Sequence, residues 1–214
     1  MKEDSLSYKV YLEVRKKILS NQLVGGARLV ESQWADKMSV SRVAVREAFM
    51  RLAGENLVDF GEKGGSFVKK MTSDDVHEIR ELRELLEVGA LKLIFEKRND
   101  TLIDDLEQLC KDFEIMVDKG YFGGACEADI RFHERLIEGA GNQRLLNIYK
   151  NSNIPLFHMK IDSMLNDLDD YVLTKEEHAQ ILDGIKSGNY EKSLKALTAH
   201  LDRGEKEVLS LVFD

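Results

Sequence analysis

The sequence predicts a mostly α-helical protein in two parts: an N-terminal three-helix unit with a β-hairpin, then an all-α helical bundle. Apolar residues recur at helical spacing over most of the chain, and a glycine-rich turn separates two short β-like runs early in it. The 214 residues include one proline, which leaves few positions barred from helical geometry. A hydrophobic content of 43% supports a packed core and excludes a disordered chain.

The first seventy residues change their apolar period twice. The pattern predicts three helices, over about residues 8–19, 29–38 and 42–54. Two β-like runs follow, Leu57–Phe60 and Ser66–Val68, on either side of a turn whose glycines tolerate positive φ. Three helices followed by such a hairpin predict a winged helix-turn-helix, which we assign to residues 1–72.

From Ser73 onward the pattern is helical almost throughout. Ser73 and the two aspartates after it suit a helix start, where a capping oxygen and negative charge are stabilising. Further helices are predicted over about residues 101–119, 124–138, 143–150, 154–166, 174–186 and 190–211. Residues 73–214 are therefore predicted to form a bundle of six or seven helices with its own core.

Charge divides unevenly between these two parts. Residues 1–70 carry 13 Lys and Arg against 9 Asp and Glu, although the whole chain has a net charge of −8. This asymmetry is typical of a binding arm joined to a regulatory or catalytic body. The alternative is that the charges fall unevenly on a solvated surface. The chain has only two cysteines, which fits a reduced compartment, and it has no apolar run long enough for a signal peptide or membrane span. We therefore predict a cytoplasmic protein without a membrane partner.

Two arginines begin the third predicted helix. Arg42 and Arg46 are four residues apart, so both side chains leave the same helix face, opposite the apolar face. Forked guanidinium groups at the start of a second helix-turn-helix helix suit guanine edges in the major groove. The alternative is that Arg42 pairs with an acid on a solvated face, such as Glu47 or Asp36.

The segments around these arginines resemble the N-terminal domain of GntR-type bacterial transcription regulators. The resemblance is carried by residues 26–31 (GARLVE), 40–48 (VSRVAVREA) and 63–65 (KGG). It implies operator contacts from the arginines at positions 28, 42 and 46, and a wing tip at the glycine turn. The predicted DNA-binding residues are Arg28, Ser41, Arg42, Arg46, Lys63, Gly64 and Gly65. Ala44 departs from the proline frequent in that family, which removes a helix-start preference but no DNA contact.

The second part carries a candidate metal site. Asp129 and His133 lie one helical turn apart, while His178 and His200 fall in two later helices. Three imidazoles and one carboxylate suit a borderline divalent ion such as zinc, nickel or manganese, with positions left open for a ligand oxygen. Spacing alone is weak support, because isolated helical histidines are more often surface or core residues.

This second part resembles the FCD domain of the FadR subfamily of GntR regulators. The matching segments are residues 81–87, 129–133, 139–142 and 177–178, together with the final helix. In metal-binding members one aspartate and three histidines are the ligands, which carries over to Asp129, His133, His178 and His200.

Arg83 is the candidate effector-binding residue. It lies beside the apolar stripe of the first body helix and needs an anionic partner, since an unpaired buried charge is costly. Glu87, four residues later, is the simple partner. The resemblance instead implies that Arg83 and the metal hold the carboxylate of a small organic acid, for which a guanidinium fork is suited.

These features predict a metabolite-responsive repressor that binds a near-palindromic operator as a homodimer. The main alternative is a metal-dependent hydrolase, because open coordination positions can activate water. Against it, we find no nucleophile motif, phosphate loop or general base at a defined spacing. A third interpretation is a purely structural metal, which predicts no response to any small acid.

Overall fold

The structure, a computed structural model, describes residues 5–19, 22–97, 100–152 and 168–213. The chain divides into two compact units, Met1–Thr72 and Ser73–Asp214, each with its own buried apolar residues. No helix within the described ranges combines the length and the apolar character needed to cross a bilayer.

The N-terminal unit has three helices and a small sheet. The helices are α1 Leu6–Leu19, α2 Glu31–Met38 and α3 Arg42–Gly54, and the strands are β1 Arg28–Leu29, β2 Val58–Phe60 and β3 Ser66–Val68. The sheet is antiparallel in the order β1-β3-β2. The predicted winged helix-turn-helix is therefore confirmed. Strand β1 was not predicted, because two residues are too few to establish an alternating pattern.

The core of this unit sets the orientation of α3. Val45, Phe49 and Leu52 are buried on one side of the helix and pack in the same core as α1. Ser39 adopts a left-handed conformation with φ of 54°, which ends α2 and turns the chain into α3. The opposite side of α3, with Arg42 and its neighbours, consequently faces outward.

The C-terminal unit is an all-α bundle, as predicted. Its described helices are α4 Ser73–Lys97, α5 Asp100–Asp118, α6 Phe122–Gly139, α7 Gln143–Asn151, α8 Leu168–Ser187 and α9 Tyr190–Phe213. The helix predicted over residues 154–166 lies outside the described residues. Helix α8 begins at Leu168 rather than near Thr174. The additional N-terminal residues of α8 are stabilised by an ion pair between Asp170 and Arg203 of α9 and by stacking of Tyr171 on Phe122.

The bundle core joins α4, α5, α6, α8 and α9. Its buried members are Leu91, Ile94, Leu102, Leu106, Phe132, Leu136, Ile181, Leu182, Ile185, Ala196, Leu197 and Leu201. Helices α8 and α9 meet closely at Gly184, where an added Cβ would lie 2.7 Å from the backbone nitrogen of Ser193. Gly188, with φ of 68°, closes the short turn between them. This antiparallel pair holds His178 and His200 close together inside the bundle.

Candidate nucleic-acid interface and metal centre

The start of α3 carries the predicted reading residues. Ser41 caps the helix, and its Oγ accepts a hydrogen bond from the Ala44 N–H at 3.2 Å. A proline at position 44 would lack this donor, so the alanine keeps a cap bond that the frequent family proline cannot make. Arg42 and Arg46 are both exposed on the outward face of the helix.

Arg46 is held by a glutamate of α2. Its Nε donates to Glu31 Oε1 at 2.9 Å and its Nη2 donates to Glu31 Oε2 at 2.8 Å. The hydrogen bond from Arg46 lowers the pKa of Glu31 below its ordinary value. Within the described part of the chain, Arg42 forms no ion pair with Glu47 or Asp36, the acids considered from the sequence.

The wing brings further candidates to the same cleft. Gly64 and Gly65 have φ of 85° and 98°, which lets the chain turn tightly between β2 and β3. An added Cβ on Gly65 would lie 3.8 Å from Arg28 Nε, so β1 and the wing are adjacent. Arg28, Arg46 and Gly65 line one cleft of about 590 Å³. Lys63 is exposed in the turn and does not line that cleft.

In the C-terminal unit, the four predicted metal ligands converge. Asp129 and His133 come from α6, His178 from α8 and His200 from α9, and all four are buried. Each offers one ligand atom, and these atoms lie within 4.8 Å of one another. Residues separated by up to 71 positions in the sequence (129 to 200) therefore meet at one point inside the bundle.

The donor spacings fit a single divalent ion. His133 Nε2 lies 3.0 Å from His200 Nε2, and Asp129 Oδ1 lies 3.1 Å from His178 Nε2 and 3.7 Å from His133 Nε2. Neighbouring ligands at about 2.1 Å from one ion are separated by roughly 3.0–3.4 Å. Imidazole nitrogens with one carboxylate oxygen are also the donors that zinc, nickel and manganese accept.

Two glutamates lie directly behind the histidines. His133 Nδ1 is 2.6 Å from Glu87 Oε2, and His200 Nδ1 is 2.8 Å from Glu177 Oε2. Arg203 in turn donates to both oxygens of Glu177 at 2.8 Å. Each of these two imidazoles thus points one nitrogen at a carboxylate and the other at the centre.

Electrostatics in this site follow from burial and charge. Burial lowers the pKa of His178, and burial together with the charges of the neighbouring histidines puts the pKa of His200 well below its ordinary value. Burial also opposes the charged form of His133, but Glu87 outweighs it and raises the pKa of that imidazole. Neutral imidazole is the form that binds a metal, so His178 and His200 are ready ligands.

Arg83 is buried and pairs with Glu87, the simple partner considered from the sequence. Its Nε donates to Glu87 Oε1 at 2.8 Å. Burial disfavours the charged guanidinium, yet Glu87 outweighs it and raises the pKa of Arg83. Burial likewise acts against the Glu87 carboxylate, but Arg83 and His133 hold the pKa of Glu87 well below its usual range. Arg83 is therefore linked to the histidine cluster through one shared carboxylate.

Sequence reasoning missed several of these contacts. Glu87 was considered only as a partner of Arg83, Glu177 only as part of a matching motif, and Glu31 and Tyr149 were not singled out. Tyr149 of α7 is buried and its hydroxyl donates to Glu87 Oε1 at 3.2 Å. The only local signal was the position of Glu177 beside a candidate ligand. The other contacts arise from packing between helices.

The N-terminal unit is a winged helix-turn-helix with exposed arginines on α3, and an all-α unit follows it. This combination defines the class of winged-helix transcription regulators. Residues 6–68 match the family described as bacterial regulatory proteins, gntR family, and residues 78–203 match the FCD domain. The chain therefore belongs to the GntR family of transcription regulators, of the FadR-like type with an FCD domain, which confirms the resemblance inferred from its motifs.

The relatives agree with this assignment. The chain is 27% identical to the HTH-type transcriptional regulator LutR of Bacillus subtilis, over 92% of this chain and 98% of that protein. It is 25% identical to the gluconate operon transcriptional repressor of Bacillus licheniformis, over 97% and 86% respectively. The structure of E. coli McbR/YncC shares the fold, with a TM-score of 0.81, 18% identity and coverage of 96% and 98%. LutR and the gluconate operon repressor are transcription regulators rather than enzymes, so the hydrolase alternative finds no support.

Proposed function

We propose that this regulator is a repressor that binds a near-palindromic operator as a homodimer and releases it when a small organic acid binds. The proposed reading residues are Arg28, Ser41, Arg42, Arg46, Lys63, Gly64 and Gly65. A single winged helix reads one half-site, so two copies are needed for a two-fold operator. Such a protein acts on chromosomal DNA, which places it in the cytoplasm.

The exposed face of α3 supports the DNA-binding half of the proposal. Arg42 and Arg46 leave the same outward face, and Arg46 is oriented by Glu31 before any DNA binds. Arg46 Nε and one hydrogen of Nη2 are held by Glu31. The N–H groups of Nη1 can still donate to the O6 and N7 acceptors of a guanine edge. Arg28 lies across the same cleft, beside the wing.

The buried donor cluster supports the sensing half, and it is the observation that carries the proposal. Asp129, His133, His178 and His200 would hold a divalent ion of the zinc, nickel or manganese type. When bound, the ion supplies a Lewis-acid position for a carboxylate oxygen. A purely structural ion would need no cation beside it, whereas buried Arg83 lies one carboxylate away from the ligand His133.

The chemistry of Arg83 favours an anionic effector. A guanidinium can bind the two oxygens of a carboxylate at once, and a divalent ion of this type also accepts a carboxylate oxygen. We therefore propose a small carboxylate as the effector class, with Arg83 as its anchor.

The reading face is tested by measuring, with fluorescence anisotropy, the affinity of the protein for DNA from upstream of its gene. Arg42→Ala and Arg46→Ala should each weaken binding by about tenfold to a hundredfold and relax base choice. Arg131→Ala is the matched control, because Arg131 is an exposed helical arginine of the C-terminal unit that pairs with Glu127. Equal affinity of Arg46→Ala and Arg131→Ala would remove Arg46 from the reading face.

The sensing half is tested on zinc-loaded protein with a panel of small carboxylic acids. An active acid should raise the melting temperature and release the DNA, and Arg83→Ala should abolish both effects while zinc content stays near one per chain. If the thermal shift by that acid persists in Arg83→Ala, the arginine is not the anchor. If no acid in the panel shifts the wild type, the structural-metal interpretation is favoured.

A further inference from the structure

We propose that Glu87 and Glu177 are positioning residues of the metal centre. Each holds one histidine in the tautomer that directs its Nε2 lone pair inward, and together they set the affinity of the site for a divalent cation. The inference rests on the proposed metal site and adds two residues to it that bind no metal themselves.

Glu87 is held from several sides, so its orientation is fixed. Its Oε2 lies 2.6 Å from His133 Nδ1, while its Oε1 accepts hydrogen bonds from Arg83 Nε at 2.8 Å and from the Tyr149 hydroxyl at 3.2 Å. A carboxylate paired with an arginine offers only acceptors. In the neutral, metal-binding form of His133, the hydrogen that faces Glu87 therefore belongs to Nδ1, and Nε2 keeps its lone pair.

Glu177 repeats this arrangement at the other histidine. Its Oε2 lies 2.8 Å from His200 Nδ1, and Arg203 Nε and Nη2 donate to its two oxygens. Arg203 is fixed in turn by Asp170 and by the hydroxyl of Thr174. The carboxylate has no freedom to rotate away, so Nδ1 of His200 is again the donor and Nε2 again faces inward.

The result is a pair of facing acceptors. The Nε2 atoms of His133 and His200 lie 3.0 Å apart, and the rings are stacked with centroids 4.9 Å apart. Two nitrogen lone pairs at this distance repel each other unless a cation or a proton lies between them. Carboxylates on the outer nitrogens also make the inner nitrogens more basic, which strengthens a metal bond. Glu87 and Glu177 thus convert two ordinary core histidines into a cation-selecting pair.

Zinc affinity measured on the full-length protein, by competition with a chromophoric chelator, tests the proposal. Glu87→Gln and Glu177→Gln should each weaken zinc binding by about 10–100-fold. Two matched controls should bind zinc as the wild type does. Glu84→Gln alters a glutamate of α4 that pairs with the arginine four residues before it, as Glu87 does. Glu176→Gln alters the exposed neighbour of Glu177.

The outcomes separate this inference from the function on which it rests. A wild type that binds no divalent ion defeats the proposed metal site itself. A wild type that binds zinc, with Glu177→Gln binding equally well, overturns the positioning role and leaves the metal site intact. The Glu177 side chain is 17% exposed, so this variant is expected to fold even if Glu87→Gln, at a fully buried position, does not.

A proton spectrum of the zinc-loaded protein provides a readout that a merely structural role would not change. Imidazole Nδ1–H groups bonded to buried carboxylates should give slowly exchanging downfield signals, one from His133 and one from His200. Glu177→Gln should shift or remove the His200 signal and preserve the His133 signal. Two unaltered signals in a folded Glu177→Gln variant would contradict the assignment.

Discussion

Removing two of the buried imidazoles should abolish the stabilisation of this protein by zinc. We expect His178→Ala combined with His200→Ala to leave only Asp129 and His133 at the centre, which are too few ligands for a stable site. In the wild type, the four donors are already within 4.8 Å of one another, so little ordering opposes binding. At a free zinc concentration about 100 times the dissociation constant, binding contributes about 2.7 kcal/mol. For a domain of this size that is a rise in melting temperature of roughly 5–11 °C.

The measurement is the melting temperature with zinc and after removal of zinc by a chelator, followed by circular dichroism. The quantity compared is the zinc-induced shift, because loss of the His178 ring, stacked on Phe132 with centroids 4.0 Å apart, lowers stability by itself. His77→Ala is the control, since His77 has a side chain 54% exposed and lies outside the donor cluster. A double variant that keeps the full shift and its metal content would refute the assignment of these ligands.

Three further predictions concern the folded units. Burial, reinforced by a hydrogen bond with Asp170, raises the pKa of Glu207 to about 8, so the folded state holds an extra proton above the ordinary glutamate pKa. The contribution of this proton to the free energy of unfolding is fully present in acid and is lost as the pH rises through 8. Urea unfolding at pH 5, 7 and 9 should therefore show that Glu207→Gln becomes progressively more stable relative to the wild type. Gly184→Ala should destabilise the protein by about 1–3 kcal/mol, because the added methyl group would be overpacked against Ser193. The control Gly204→Ala has open space around the added methyl group and should be neutral or stabilising. Equal effects of the two variants on thermal unfolding would contradict the contact at Gly184. Asn142→Ala should cost about 1 kcal/mol, because its side chain caps α7 by accepting from two backbone N–H groups, and an unchanged urea midpoint would count against the cap.

Much of the fold follows from local patterns in the sequence. The buried positions Val45, Phe49 and Leu52 recur at helical spacing, and that period predicts α3 and its inner face without any tertiary information. The extra turn at the start of α8 does not follow in this way. It depends on Asp170 meeting Arg203, thirty-three positions away, and such a contact leaves no periodic signal.

The candidate site likewise contains residues that local spacing predicts and residues that only tertiary packing brings together. Asp129 and His133 are predictable as a pair, because four residues make one helical turn. His178 and His200 join them only when α8 and α9 pack into the bundle with α6, and the resemblance to a known domain supplied what spacing did not. Glu87 and Glu177 carry no motif of their own. Their importance is visible only once each lies within hydrogen-bond distance of an imidazole.

A glutamate contacts a residue of the proposed sites at three places: Glu31 at Arg46, Glu87 at His133 and Glu177 at His200, which lie 15, 46 and 23 positions apart in the sequence. Their energetic consequences should differ because their environments differ. Glu31 pairs with a side chain that is 63% exposed, where solvent screens the charges, so Glu31→Gln should leave the free energy of unfolding unchanged while altering operator base preference. Glu87 is fully buried, so Glu87→Gln removes an anionic partner of the buried Arg83 and should lower the free energy of unfolding by about 3–5 kcal/mol. Urea unfolding of both variants compares them directly, and an equal loss of stability would show that burial does not distinguish the two carboxylates.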